Sequence, residues 1–191
     1  MIKAARYCLD GSLSGYGTKG GNDKVLSNDE LMQYIKLYHS TVYRLALSYV
    51  RNTAEAEDIC QEAFIKLMES TEAFASPENR KAWLIRVTVN LSKNYLRSSR
   101  FTRSVELDDN IRETVPEEYE ELYDAVMALP VKYRSIVHLY YYEGYSVKET
   151  ADILKISESA VTTRMARARK LLRGLLLGEE HSYEKSIQEI V

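Results

Sequence analysis

The sequence predicts an all-α chain of two small helical modules joined by an acidic linker, the second ending in a helix-turn-helix. Three observations carry this expectation. Proline occurs only at positions 77, 116 and 130. Between the breakers the apolar residues recur at three-and-four spacing, the signature of a helix with one buried face, and not at the alternate spacing of a strand. Residues 98–121 then lose large apolar side chains while gathering Glu106, Asp108, Asp109, Glu113, Glu117, Glu118, Glu120 and Glu121. A segment with so little to bury stays solvated, so a module boundary belongs there.

Taken in order, residues 1–27 read as a flexible tail, with glycines at 11, 15, 17, 20 and 21. No apolar stretch in it resembles a signal peptide, and no run in the chain reaches the roughly 18 to 20 residues of a membrane span. The first module, 28–98, predicts three helices. In 28–52 the stripe is Leu31, Tyr34, Ile35, Tyr38, Val42, Leu45, Ala46 and Tyr49, with Ser27 or Asn28 as cap. In 54–70 it is Ala56, Ile59, Cys60, Ala63, Phe64, Leu67 and Met68. After a break at FASPEN, 80–97 carries Trp83, Leu84, Val87, Leu91 and Leu96.

The linker, 99–118, leads to a second module, 119–178, with helices expected at 119–129, 131–143, 147–154 and 158–176. Pro130 separates the first two and Gly144 stops the second. Residues 179–191 form a short tail. At roughly 60 to 70 residues each, such modules bury a low fraction of their surface, so a partner that binds the folded state adds to their stability. The chain has two cysteines, Cys8 and Cys60, without metal-ligand or disulfide spacing, which suits a reducing cytosol. No metal or cofactor is expected.

Formal net charge is −2, so the total does not argue for nucleic acid. The distribution does. Residues 146–172 have the spacing of a helix-turn-helix: Ser146 caps one helix with Glu149 three residues on, a capping box worth about 1 kcal/mol. Ser157 caps the next, and only Lys155 and Ile156 lie between. Ala151 permits close approach, while Leu154, Ile156, Val161 and Met165 supply a shared core. That leaves Ser157, Glu158, Ser159, Thr162, Thr163 and Arg164 near the outer N-terminal face of the second helix, the part that reaches base edges in this motif. Arg167, Arg169, Lys170 and Arg173 follow. For the last three, phosphate contact and simple compensation of the helix dipole both remain open.

A second basic stretch, Arg80 to Arg103, contains Arg80, Lys81, Arg86, Lys93, Arg97, Arg100 and Arg103 and no acid, interleaved with Trp83, Tyr95 and Phe101. Cations track phosphate and aromatics stack on unpaired bases, so this composition suits a separated strand, although packing in the core is the favoured place for Trp83. The preceding helix has the opposite character. Glu55, Glu57, Asp58, Gln61, Glu62 and Glu69 surround its apolar stripe with only Lys66 in opposition, a face that avoids DNA and fits a basic protein surface.

Three ordered blocks, DICQEAFIKLMES, AFASPENRKAWLIRVTVNLSKNYLR and ALPVKYRSIVHLYYYEGYSVKETADILKISESAVTTRMARARKLL, make the chain resemble extracytoplasmic-function sigma factors of bacterial RNA polymerase over about residues 30–176. The resemblance implies that Asp58, Gln61 and Glu62 dock on the clamp helices of core polymerase. It implies that Ser76, Asn79, Arg80, Arg86, Asn90, Lys93, Asn94 and Arg97 capture and melt the promoter's minus-ten element. Ser157, Glu158, Ser159, Thr162, Thr163, Arg164 and Arg167 would read the minus-thirty-five element, and the acidic linker would thread toward the RNA path. Core polymerase and promoter DNA are thus the implied partners, with an anti-sigma factor as a common regulator, no membrane insertion and a cytoplasmic location.

Two departures accompany the resemblance. Lys155 stands where the family often has Gly, at a corner where a left-handed non-Gly residue costs roughly 1 to 2 kcal/mol. AVTTR stands where many members have TVKSR, which bears on the exact upstream sequence read. The competing reading is a helix-turn-helix regulator of another class that binds duplex DNA without polymerase. Catalysis is not expected: His39, His138 and His181 are scattered, and no Gly-rich phosphate loop or nucleophile motif is present.

Overall fold

A computed structural model describes residues 27–72, 74–98 and 117–177, which divide into two compact units. The expected N-terminal and C-terminal tails, nearly all of the linker, Cys8, Arg100, Phe101 and Arg103 lie outside them. Every regular element among the described residues is helical.

The first unit holds α1 (Asn28–Val50), α2 (Thr53–Glu69) and α3 (Pro77–Arg97). Ser27 opens α1 through a reciprocal box: the Glu30 amide donates to its Oγ at 3.2 Å, and its own amide donates to the Glu30 carboxylate at 3.0 Å. Ser76 opens α3, accepting from the Asn79 amide at 3.3 Å, with Pro77 in the first turn, where its missing N–H costs nothing. The helix thus starts inside the FASPEN segment, three residues before the expected position 80. A serine cap followed by a first-turn proline sets that start within the apparent break.

The three helices share one core. Tyr38 and Val42 of α1, Cys60, Ala63, Phe64 and Leu67 of α2, and Leu84 of α3 are all buried together, with Trp83 and Phe74 packed at the margin. The buried face of α3 is rotated from the expected stripe: it contains Leu84, Ile85, Thr88, Val89 and Ser92, while Trp83, Val87, Leu91 and Leu96 are half-buried. Two small polar residues within that face disguised it. Thr88 is accommodated because its hydroxyl donates to the Leu84 carbonyl at 2.8 Å.

The second unit begins with a short 3₁₀ turn, Glu117–Tyr119, followed by α4 (Glu120–Ala128), α5 (Val131–Val137), a π-helical turn (His138–Tyr142), α6 (Val147–Leu154) and α7 (Glu158–Leu176). Leu129 and Tyr133 pack with Ala168 and Leu171, so α7 is rooted in the same core as the α4–α5 corner. Arg134 is buried beside that corner, and its Nη1 donates to the Met127 and Leu129 carbonyls at 2.6 and 2.7 Å. A guanidinium placed on the last carbonyls of a helix meets the negative end of its dipole, which offsets part of the cost of burying the charge.

The expected uniform helix over 131–143 instead widens at His138, where the Glu143 amide donates to the His138 carbonyl at 3.1 Å. Side chains five apart on an α-helix point about 140° away from each other. The wider turn brings Glu143 under His138, Nε2 to Oε1 at 3.7 Å, and His138 stacks on Tyr142. Gly144, at φ +74, ends the segment as its position indicated.

The helix-turn-helix forms as expected. Ser146 and Glu149 make the capping box, and the Ser146 hydroxyl holds the Glu149 carboxyl below its ordinary range. Lys155 is left-handed, φ 58 and ψ 50, and the Ile156 amide returns to the Ala151 carbonyl at 3.1 Å. A Cβ makes that region costly for Lys155, which is exposed, so Lys155→Gly removes backbone strain without removing a core contact. We expect it to raise stability by about 1 kcal/mol in denaturant unfolding, the released strain exceeding the added freedom of the unfolded chain; a loss of stability would contradict the assigned strain.

Candidate nucleic-acid interface

The second helix of the motif, α7, separates into two faces. Val161, Met165, Ala168, Leu171 and Gly174 are buried. Ser157, Glu158, Ser159, Thr162, Thr163 and Arg167 are exposed. Ser157 accepts from the Ala160 amide at 3.2 Å, so it is first a cap, with its hydroxyl also 3.0 Å from that of Ser159. Thr162 donates back to the Glu158 carbonyl at 3.0 Å, which fixes its rotamer and leaves its methyl outward. A cap and exposed hydroxyls thus occupy the first turns of the helix, the groups and place from which base edges are read, with Arg167 in the third turn.

Arg164 is set apart from these. It is half-buried, in helical register with Ala160 and Ala168 on the flank of the packing side. Farther along, Arg167, Arg169, Lys170 and Arg173 are all exposed. Arg169 donates its Nε to the Tyr141 hydroxyl at 2.8 Å, a contact across 28 residues of sequence that no local pattern signals.

On α3 the minus-ten candidates form a single stripe. Arg86, Asn90, Lys93, Asn94 and Arg97 follow i, i+4, i+7, i+8 and i+11, opposite the buried Ile85, Thr88, Val89 and Ser92, and Asn79 falls in the same register toward the N-terminus. At 1.5 Å per residue the stripe from Asn79 to Arg97 extends about 27 Å, long enough for several nucleotides. Asn79, Asn90, Asn94 and Arg97 are exposed, while Ser76, Arg86 and Lys93 are half-buried.

Arg80 points elsewhere. Its guanidinium carbon lies 4.0 Å from the Tyr34 ring centre and 5.2 Å from that of Phe74, and its Nε is buried without a hydrogen bond. It joins α1 to the start of α3 through its attraction to two aromatic faces, alongside the Tyr38 hydroxyl, which donates to the Pro77 carbonyl at 3.4 Å. Trp83 meets Phe74 edge to face at 5.7 Å and is packed against the core, half-buried, at the border of the basic stripe.

Asp58 and Glu62 are exposed on α2 and Gln61 is half-buried. Glu62 pairs with Lys66 at 3.5 Å, one turn on, an exposed contact of small energy. On the other side, Glu57 and His39 approach to 3.6 Å. Cys60 lies beneath this surface, and burial pushes its thiol up to about 12, so it remains protonated and unreactive at neutral pH. Among the described residues no cluster of His, Cys, Asp or Glu could hold a metal, and no helix is long and apolar enough to cross a membrane.

Residues 34–102 match the family model for sigma-70 region 2, and residues 119–172 match that for sigma-70 region 4. The chain is 34% identical over 146 residues to RNA polymerase sigma factor SigV of Bacillus subtilis, covering 73% of this chain and 87% of the relative. It is 30% identical to ECF RNA polymerase sigma factor SigM of Mycobacterium tuberculosis, covering 75% of this chain and 76% of that protein. In fold it resembles RpoE of Bartonella quintana, solved with the anti-sigma factor NepR, at TM-score 0.62 and 22% identity over 78% of this chain and 97% of that one. CnrH, solved with the cytosolic domain of CnrY, gives TM-score 0.60 at 23% identity over 81% and 92%. With sigma-70 regions 2 and 4 both present in order and these relatives covered over most of their length, the chain belongs to the extracytoplasmic-function sigma factors of the sigma-70 family.

Proposed function

We propose that this sigma factor assigns its three chemical surfaces to three targets. Asp58, Gln61 and Glu62 of α2 engage core RNA polymerase. The stripe from Asn79 to Arg97 captures and melts the minus-ten element. The exposed face of α7 reads the minus-thirty-five element. The observation that carries this reading is the separation of charge within the first unit: an acidic face on α2 and a basic, amide-bearing face on α3, both supported by one core. DNA repels the first and attracts the second, so a single duplex is a poor ligand for both, whereas a basic protein together with a DNA strand suits both.

In this reading 28–98 and 119–178 are the working modules, 99–118 is the connecting linker, and 1–27 and 179–191 are tails. The protein lends promoter selection to polymerase and carries out no chemistry itself, and it works in the cytoplasm. Arg80 supports the minus-ten surface from behind by fixing the entry to α3. An anti-sigma factor is a further partner in this reading, since the solved relatives RpoE and CnrH are held by proteins of that kind or by a cytosolic domain.

The partner assignment is tested with Asp58→Lys and Glu62→Lys together. As exposed residues of α2, one of them in a weak exposed pair with Lys66, they cost about 1 kcal/mol of stability at most. The double variant should keep its helical circular dichroism and lose association with core polymerase, because like charges then meet at the interface. Wild-type affinity for core in a folded variant would remove the acidic face from the account.

The melting assignment is tested with Lys93→Ala and Arg97→Ala together. Initiation should fall more on duplex promoters than on templates opened in advance, as measured by transcript yield. Equal loss on both templates would point to general phosphate attraction in place of melting.

A further inference from the structure

Arg169 lies outside the first turns of α7 that the motif uses for bases. It is seven residues beyond Thr162 and so on the same face two turns on, about 10.5 Å along the axis. Its side chain is exposed, yet it is held: Nε donates to the Tyr141 hydroxyl at 2.8 Å, and its guanidinium carbon lies 5.9 Å from the Tyr141 ring centre. No carboxylate of the described residues pairs with it. One of the five N–H donors of the arginine is thereby spent, and the four on the terminal nitrogens, the pair that fits two phosphate oxygens, remain available.

Tyr141 is itself an unusual residue for its place. It is 54% exposed, although a packing tyrosine would bury most of its ring. It stands in the π-helical turn, between Tyr140, which meets it edge to face at 5.1 Å, and Tyr142, which stacks on His138. The wide turn displaces the residues that follow it from the α-helical register by about one residue, or 100°, and the buried His138 and Glu143 pair spans that turn. The tyrosine hydroxyl is therefore presented from a braced element toward α7.

We propose that Tyr141 is a positioning residue that orients Arg169 for a bidentate contact with one backbone phosphate at the edge of the upstream promoter element. A long, freely rotating arginine loses conformational freedom when it binds; one already restrained by a phenol loses less. The contact adds register and affinity without selecting a base, which complements the hydroxyl-bearing face of the first turns. The inference rests on the proposed reading of α7 as the minus-thirty-five reader.

The test uses holoenzyme assembled from core polymerase and the full chain, binding a promoter duplex, with wild type, Tyr141→Phe, Arg169→Ala and the double variant. Arg169→Ala should weaken binding roughly five- to tenfold and reduce the magnitude of the log-affinity versus log-salt slope by about one. Tyr141→Phe keeps the ring and should weaken binding about threefold in the wild-type background and not at all beside Arg169→Ala. Replacing phosphates one at a time by neutral methylphosphonates should reveal one position to which wild type is sensitive and Arg169→Ala is not. An unchanged salt slope in Arg169→Ala would overturn the phosphate contact. An equal effect of Tyr141→Phe in both backgrounds would overturn the positioning role. Absence of promoter preference in the wild-type holoenzyme would instead overturn the underlying reading of α7, and this inference with it, before any variant is compared.

Discussion

Two helices separated by three residues can share a core only if the chain reverses sharply between them, and here Lys155 makes that reversal. Its left-handed backbone allows the Ile156 amide to close on Ala151, and Ser157 can then start α7 at once. Leu154 and Val161 are buried on either side of the corner. The direction of α7, and therefore which residues it offers to a groove, follows from this one conformation. A strained residue is tolerated because its neighbours over-determine it: a capping box before, a serine cap after, and small Ala151 beneath. The same demand recurs at Arg51, φ 59, where α1 passes to α2.

Satisfaction of polar groups at corners sustains both units, which are too small to depend on apolar area alone. Arg134 donates to two carbonyls at the end of α4, so the Leu129–Pro130 break is closed from inside by a charge. Arg80 plays the corresponding part in the first unit by means of aromatic faces. Both are arginines turned inward, whereas Arg97 on α3 and Arg167, Arg169, Lys170 and Arg173 on α7 are exposed. The distinction between supporting and displayed arginine follows from burial and partner, and it divides the basic residues into scaffold and surface. Arg164 lies between these classes, half-buried at the flank of α7.

Much of this was legible in the sequence because the relevant signals are local. The sequence located each α-helix among the described residues, and hydroxyl caps fixed the starts of α1, α6 and α7. The capping box at Ser146 could be named in advance, since it joins residues three positions apart, and the family resemblance marked the left-handed corner at Lys155. The buried face of α3 was less legible, because Thr88 and Ser92 interrupt its apolar run and only the i−4 hydrogen bond of Thr88 explains one of them. The π turn had no signal, as it depends on a pair, His138 and Glu143, whose closeness the α-helical period forbids. Long-range contacts were likewise hidden. Neither the rings that hold Arg80 nor the tyrosine that holds Arg169 could be read from spacing.

The central claim is that this chain confers promoter choice on an enzyme that has none without it. The most direct measurement combines the purified full chain with core RNA polymerase on genomic DNA and sequences the 5′ ends of the transcripts. The account predicts new start sites, absent with core alone, preceded by two shared sequence blocks at the spacing of a minus-ten and a minus-thirty-five element. Tight, sequence-specific binding to duplex DNA by the chain alone, with no new start sites when core polymerase is supplied, would contradict it.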